Sequence, residues 1–285
     1  MRTLVGHRLA AFALICASLV SGCQSLEGIL ATAPKPTARI MGTELKNLSL
    51  EKIDLVFNVE VANPYAVDLP LLDLAYTVGS GGTSLVQGNI KPSGAVPARG
   101  TSVIQLPARI TFASLIRTLK GVRPGSVVPY NADLTLGVDA PVVGRLTLPL
   151  SKSGELPVPA APEVELSSFE IAKLGMDETK ATAKLQVKNT NPFALNLSKL
   201  SIELALGANK IANTSLANSA KIAPGQSVAV DVPLSFSPRS FGLAVMNLLR
   251  GNKAAYSLVG SLEAGTPYGP LALPFNRNGN TIITK

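Results

Sequence analysis

Apolar and polar residues alternate along most of this chain, and the alternation comes back. It runs Phe57/Val59/Val61 ahead of one Asn-Pro and Ala183/Leu185/Val187 ahead of another, the period of a strand with one buried face. A second run follows each, Leu72/Leu74/Tyr76/Val78 and Leu200/Ile202/Leu204/Leu206, with Ser, Asp, Glu, Ala or Thr between, so one side is apolar and the other meets water. The stretch from Val61 to Leu69 around Asn63-Pro64-Tyr65 returns as the stretch from Lys188 to Leu197 around Asn191-Pro192-Phe193, 191 − 63 = 128 residues later. The chain therefore reads as a tandem duplication in which Asn63-Pro64 and Asn191-Pro192 are equivalent corners between strands. Proline disfavours helix at the preceding residue and offers no N–H to a ladder, and an Asn side chain can bond nearby backbone instead. On this reading Asn63, Pro64, Tyr65, Asn191, Pro192 and Phe193 are architectural.

Each copy carries one helical pattern. Leu115, Leu119 and Val122 recur at i, i+4, i+7, and Phe241, Val245, Leu248 and Leu249 at i, i+4, i+7, i+8. Ser237-Pro238 and Thr111 are the expected starts, Arg250-Gly251 and Lys120-Gly121 the stops. The apolar stripe should close one end of the fold. Gly79-Ser80-Gly81-Gly82 has the composition of a phosphate loop but lacks the following Lys-Ser/Thr and helix, and so reads as a hairpin. Two strands finish each copy. Between the copies, Leu156-Pro157-Val158-Pro159-Ala160-Ala161-Pro162 predicts a semi-rigid spacer of roughly 20 Å, at about 3.1 Å per residue.

A strand, Asn-Pro-aromatic, an L-x-L-x pattern, a Gly-containing hairpin and a late Pro-Gly or Arg-Gly turn resemble the type 2 late-embryogenesis-abundant proteins and their WHy (water stress and hypersensitive response) domain. The resemblance implies an all-β chain of two tandem antiparallel β-sandwiches, immunoglobulin- or fibronectin III-like, each with one short helix, with a role in stress protection and no catalytic residues. The expected layout is a signal at 1–22, a tether at 23–36, one domain at 37–155, a linker at 156–162 and a second domain at 163–285.

Met1 to Gly22 carries Arg2 and Arg8, no acid, and an apolar run from Leu9 to Val20, the pattern of a secretory signal and too short for a spanning helix. Val20-Ser21-Gly22-Cys23 resembles a bacterial lipobox, which makes Cys23 the expected lipid attachment site. By resemblance to Gram-negative lipoproteins, the absence of Asp after Cys23 implies the inner leaflet of the outer membrane, facing the periplasm. Cys16 and the single histidine, His7, leave with the signal. The remaining chain has no disulfide and no Ser-His, Cys-His or His/Cys zinc chemistry. No cofactor and no metal are expected. Asp177-Glu178 is a carboxylate pair by sequence alone, set among turn-like residues.

The net charge of +8 includes those two arginines, and the rest is scattered. Lys180, Lys184 and Lys188 share one strand face, either a solvated surface or a weak attraction for anionic headgroups. Nucleic-acid binding lacks an aromatic platform. A hydrophobic share of 46% against 15% charged residues is that of a folded chain, unlike hydrophilic disordered stress proteins. Two functions remain open. One is a non-enzymatic, lipid-anchored protectant in desiccation or osmotic stress. The other is a lipid-binding or envelope-assembly lipoprotein with an apolar groove, motivated by Leu69-Pro70-Leu71-Leu72, whose partners would be lipids or envelope proteins. The oligomeric state is not encoded in any of these patterns.

Overall fold

The computed structural model describes residues 34–141 and 143–285; the signal segment, Cys23 and the tether up to residue 33 lie outside them. The first repeat contains β1 (Thr37–Lys46), β2 (Lys52–Ala62), β3 (Leu69–Ser80), β4 (Thr83–Ile90), the two-residue β5 (Ala95–Val96), β6 (Thr101–Thr111), α1 (Phe112–Thr118), β7 (Val127–Ala140) and β8 (Gly144–Pro157). The second contains β9 (Glu163–Lys173), β10 (Thr179–Lys188), β11 (Leu195–Leu206), β12 (Asn209–Ile222), β13 (Ser227–Phe236), α2 (Leu243–Arg250), β14 (Lys253–Thr266) and β15 (Gly269–Thr284).

Pairing is the same in both repeats. One sheet is ordered β1-β2-β6 and answers β9-β10-β13; the other is ordered β4-β3-β7-β8, with β5 on β3, and answers β12-β11-β14-β15. Within each sheet the ladders are antiparallel. The chain is thus two antiparallel β-sandwiches in tandem. They differ at one seam. Ile282, Ile283 and Thr284 at the end of β15 pair in parallel with Ser168, Phe169 and Glu170 of β9, joining both sheets of the second repeat into one of seven strands.

The alternation does what its period requires. Phe57, Val59 and Val61 are fully buried, as are Ala183, Leu185 and Val187. Between β3 and β4 the chain reverses over Gly81 (φ +55°) and Gly82 (φ +79°), a two-residue turn with both centres left-handed, the geometry that matches strand twist and favours glycine.

The helices begin and end differently from the sequence expectation. α1 stops at Thr118, so Leu119 is its cap and Val122 lies beyond it, while Phe112 and Leu115 carry the buried face. In the second repeat Ser237 precedes a 3-10 turn, Pro238–Phe241, and its hydroxyl donates to the Met176 carbonyl instead of capping a helix. Gly242 (φ +80°) then breaks the turn, and α2 starts at Leu243, burying Val245, Met246 and Leu249. Proline set the first turn as expected, but the positive-φ glycine behind it moved the helix start by one turn.

The linker is also not a free spacer. Leu156 and Pro157 complete β8, and Leu156, Val158 and Ala160 are buried with only Ala161 exposed.

Candidate functional site: the asparagine corners and the linker

Asn63 leaves β2 and points inward, 3% exposed. Its amide Nδ2 donates to the carbonyls of Val67 (2.8 Å), Val96 (3.0 Å) and Pro97 (3.0 Å), and its Oδ1 accepts the Tyr65 amide at 2.9 Å. One side chain therefore holds three chain segments, in place of the ladder that Pro64 interrupts.

The second repeat contains the same knot, centred on Asn189. Its Nδ2 donates to Phe193 (2.8 Å), Ile222 (3.0 Å) and Ala223 (3.4 Å), and its Oδ1 accepts the Asn191 amide at 2.9 Å. The backbone agrees: the Asn63 amide donates to Gly100 and the Asn189 amide to Gln226. Equivalent residues therefore lie 189 − 63 = 126 apart, as do the bounds of β3 and β11 and of β7 and β14. The pairing of Asn63-Pro64 with Asn191-Pro192 is corrected: Pro64 answers Thr190, Tyr65 answers Asn191, and Phe193 answers Val67. Two Asn-Pro dipeptides two residues out of register imitate each other because a two-residue slip keeps every strand side chain on its own face. Asn189 was the residue missed, and the spacing of Tyr130 to Tyr256, also 126, was the signal that could have found it.

Asn191 has a different task. It is 2% exposed. Its Oδ1 accepts the Ala160 amide at 2.7 Å, and its Nδ2 donates to the Ala160 carbonyl and to Asn189 Oδ1, each at 3.1 Å. Pro192 is half-buried, and the buried Phe193 ring meets Tyr268 edge to face at 5.4 Å.

Charges are matched rather than massed. Lys180, Lys184 and Lys188 lie against Glu178 (3.7 Å), Glu170 (2.7 Å) and Glu163 (3.0 Å). The Glu170 carboxylate raises the Lys184 pKa. Exposed pairs of this kind contribute little stability, but they leave this row no cationic excess. Asp177 pairs with Arg239 at 2.7 Å and Glu178 with Lys173 at 3.1 Å, so the two neighbouring acids serve separate cations. Among the described residues no cluster of three or more His, Cys, Asp or Glu could hold a metal ion, and no helix is long and apolar enough to cross a membrane. Leu69 is sealed in the core and Leu71 and Leu72 are half-buried. A cleft of about 590 Å³ lies between Thr43–Lys46 of β1 and Pro267–Gly269 of the β14–β15 turn.

The least exposed ion pair joins Asp54 on β2 to Arg109, opposite it on β6. Arg109 Nε donates to Oδ1 at 2.7 Å and Nη2 to Oδ2 at 3.1 Å, and Asn47 adds a bond to Oδ2 at 3.0 Å. The hydrogen bond from Arg109 lowers the Asp54 pKa below its usual value. A carboxylate depressed on folding stabilises above its unfolded pKa of about 3.9, and that contribution is lost as pH falls through the folded value. Asp54→Asn should therefore weaken the first repeat by about 1–2 kcal/mol at pH 7. In urea titrations of the full chain the gap to wild type should close as the buffer is taken below pH 4.

Comparison with known proteins comes to the same pair of segments. A family model described as late embryogenesis abundant protein, type 2, matches residues 58–154 and again 184–279. The desiccation protectant protein Lea14 homolog of Glycine max is 30% identical over 126 residues, 44% of this chain and 83% of its own length. Late embryogenesis abundant protein Lea14-A of Gossypium hirsutum is 29% identical over 135 residues, 47% of this chain and 89% of its own. The solution structure of a late embryogenesis abundant protein is matched over 56% of this chain and 95% of that one, at 26% identity and a TM-score of 0.40.

Proposed function

Because this chain belongs to the late embryogenesis abundant family, type 2, and carries its domain twice, we propose that it is a non-enzymatic protectant in desiccation or osmotic stress. The observation that carries the reading is the double family match, together with the Glycine max relative, whose name is that of a desiccation protectant. The buried polar side chains of both corners, Asn63, Asn189 and Asn191, are spent on hydrogen bonds that hold the fold's own main chain. The proposed place of action is the cell envelope, with Cys23 acylated and the protein held on the periplasmic side of the outer membrane. Its support is Val20-Ser21-Gly22-Cys23 behind an apolar run.

Two measurements test the proposal. A deletion strain should lose viability on drying while keeping normal outer-membrane permeability in growth; a constitutive permeability defect with normal survival would favour the envelope-assembly reading. Cys23→Ala should move the protein into the soluble periplasmic fraction or leave the signal uncleaved. Membrane fractionation after normal cleavage would defeat the anchor.

A further inference from the structure

The linker is bonded to both repeats. Val158 accepts the Gly125 amide at 2.8 Å and donates to the Ser126 carbonyl at 2.9 Å, a short bridge to the loop before β7. Two residues on, the second repeat takes hold. Asn191 Oδ1 accepts from the Ala160 N–H and Nδ2 donates to the Ala160 carbonyl, so one amide side chain satisfies both backbone groups of that residue as a paired strand would. The Thr190 hydroxyl donates to the Ala161 carbonyl at 3.0 Å. Between these anchors the repeats approach directly: a Cβ at Gly125 (φ +87°) would stand 2.8 Å from the Thr190 carbonyl oxygen.

The corner itself does not require these residues. The first repeat has Tyr65 where the second has Asn191, and Pro64 where it has Thr190, yet it builds the same knot around Asn63. Thr190 and Asn191 thus turn polar side chains to the linker, Asn191 keeping one further bond to Asn189, at positions where the first repeat carries Pro64 and Tyr65.

We propose that Thr190-Asn191 is a clamp which, with Gly125 on the other side, locks the two repeats into one body. Tandem domains joined by a free linker move relative to each other by default. Here the clamp maintains one arrangement, so the cleft between β1 and the β14–β15 turn has a set shape and any partner meets a preformed surface of both repeats.

The linker contains one bond that an elastase can cut, Ala160–Ala161, since every other small residue in it precedes a proline. In the full chain, digested below its melting temperature and followed by mass spectrometry, wild type should be cut slowly there. Asn191→Ala, and Asn191→Tyr with the residue the first repeat uses, should be cut at least about tenfold faster. Thr190→Val, which leaves the Asn189 knot untouched, should show a smaller increase, and Asn63→Ala should match wild type. Calorimetry should resolve one concerted transition into two in the Asn191 variants. If the Asn191 variants fold and keep the wild-type rate, the clamp is overturned. If they fail to fold, Thr190→Val decides, and an unchanged rate there overturns it equally.

Discussion

Alanine at Asn63 is expected to cost the first repeat about 3 kcal/mol, and alanine at Asn189 the same in the second, measured by urea unfolding of the full chain. Each change strands the three carbonyls and one N–H that the amide served, groups that are buried or part-buried at the corner, and the penalty comes largely from those left unsatisfied in the interior, Val96 in the first repeat and Phe193 and Ile222 in the second. Two companions test the mechanism. Asn63→Asp is nearly isosteric but sets a carboxylate against the carbonyls of Val67, Val96 and Pro97, so at pH 7 it should be at least as harmful as alanine. Asn191→Ala leaves the bonds of Asn189 to Phe193, Ile222 and Ala223 in place, and should cost the second repeat less than Asn189→Ala. Equal costs at 189 and 191 would show that the 126-residue register does not govern the energetics.

Phe57→Ala should destabilise the first repeat by about 3–5 kcal/mol, the cost of emptying a large core site that collapses only in part. Phe57 is fully buried, meets the Tyr130 ring edge to face at 6.4 Å, and lies opposite Thr43 across β1 and β2. The second repeat fills the corresponding pair the other way round, with Ala183 on β10 and Phe169 on β9. One cross-strand site thus holds one aromatic ring in each domain, supplied from opposite strands. Adding Thr43→Phe to Phe57→Ala transplants the second repeat's solution and should recover a substantial part of the loss, whereas Thr43→Phe alone should overpack and destabilise by about 1–3 kcal/mol. Thr43 makes the exchange favourable in another way: its hydroxyl is buried and finds no hydrogen-bond partner among the described residues. A double variant no more stable than Phe57→Ala would mean the two sites are not interchangeable.

Strand identity was legible because burial on one face imposes a period of two, and Phe57, Val59, Val61, Leu185 and Val187 obey it. Register was not, because that period cannot distinguish a shift of 126 from one of 128. Turn chemistry blurred it further. Arg99 adopts the left-handed geometry (φ +53°) that Gly225 adopts at φ +73°, so aligning Gly100 with Gly225 slips by one residue. The Thr43/Phe57 and Phe169/Ala183 exchange was hidden for a related reason: each strand taken alone shows a lost aromatic, and only the pairing shows that volume is conserved. The linker misled because its prolines signal extension correctly but say nothing of burial. Its partners, Gly125 and Asn191, are 158 − 125 = 33 and 191 − 160 = 31 residues away along the chain, respectively.

The seam between β15 and β9 has a mechanical consequence. β9 receives the linker at its start and β15 ends beside it, the two running in the same direction over Ser168–Glu170 and Ile282–Thr284. Tension drawn between the linker and Thr284 therefore pulls these strands past one another lengthwise and loads their hydrogen bonds together, where an antiparallel hairpin pulled at its open end would part bond by bond. In the first repeat β8 and β1 belong to separate sheets, and no such ladder crosses the sandwich. Of the two otherwise matched domains, the second is built to yield last when the chain is stretched.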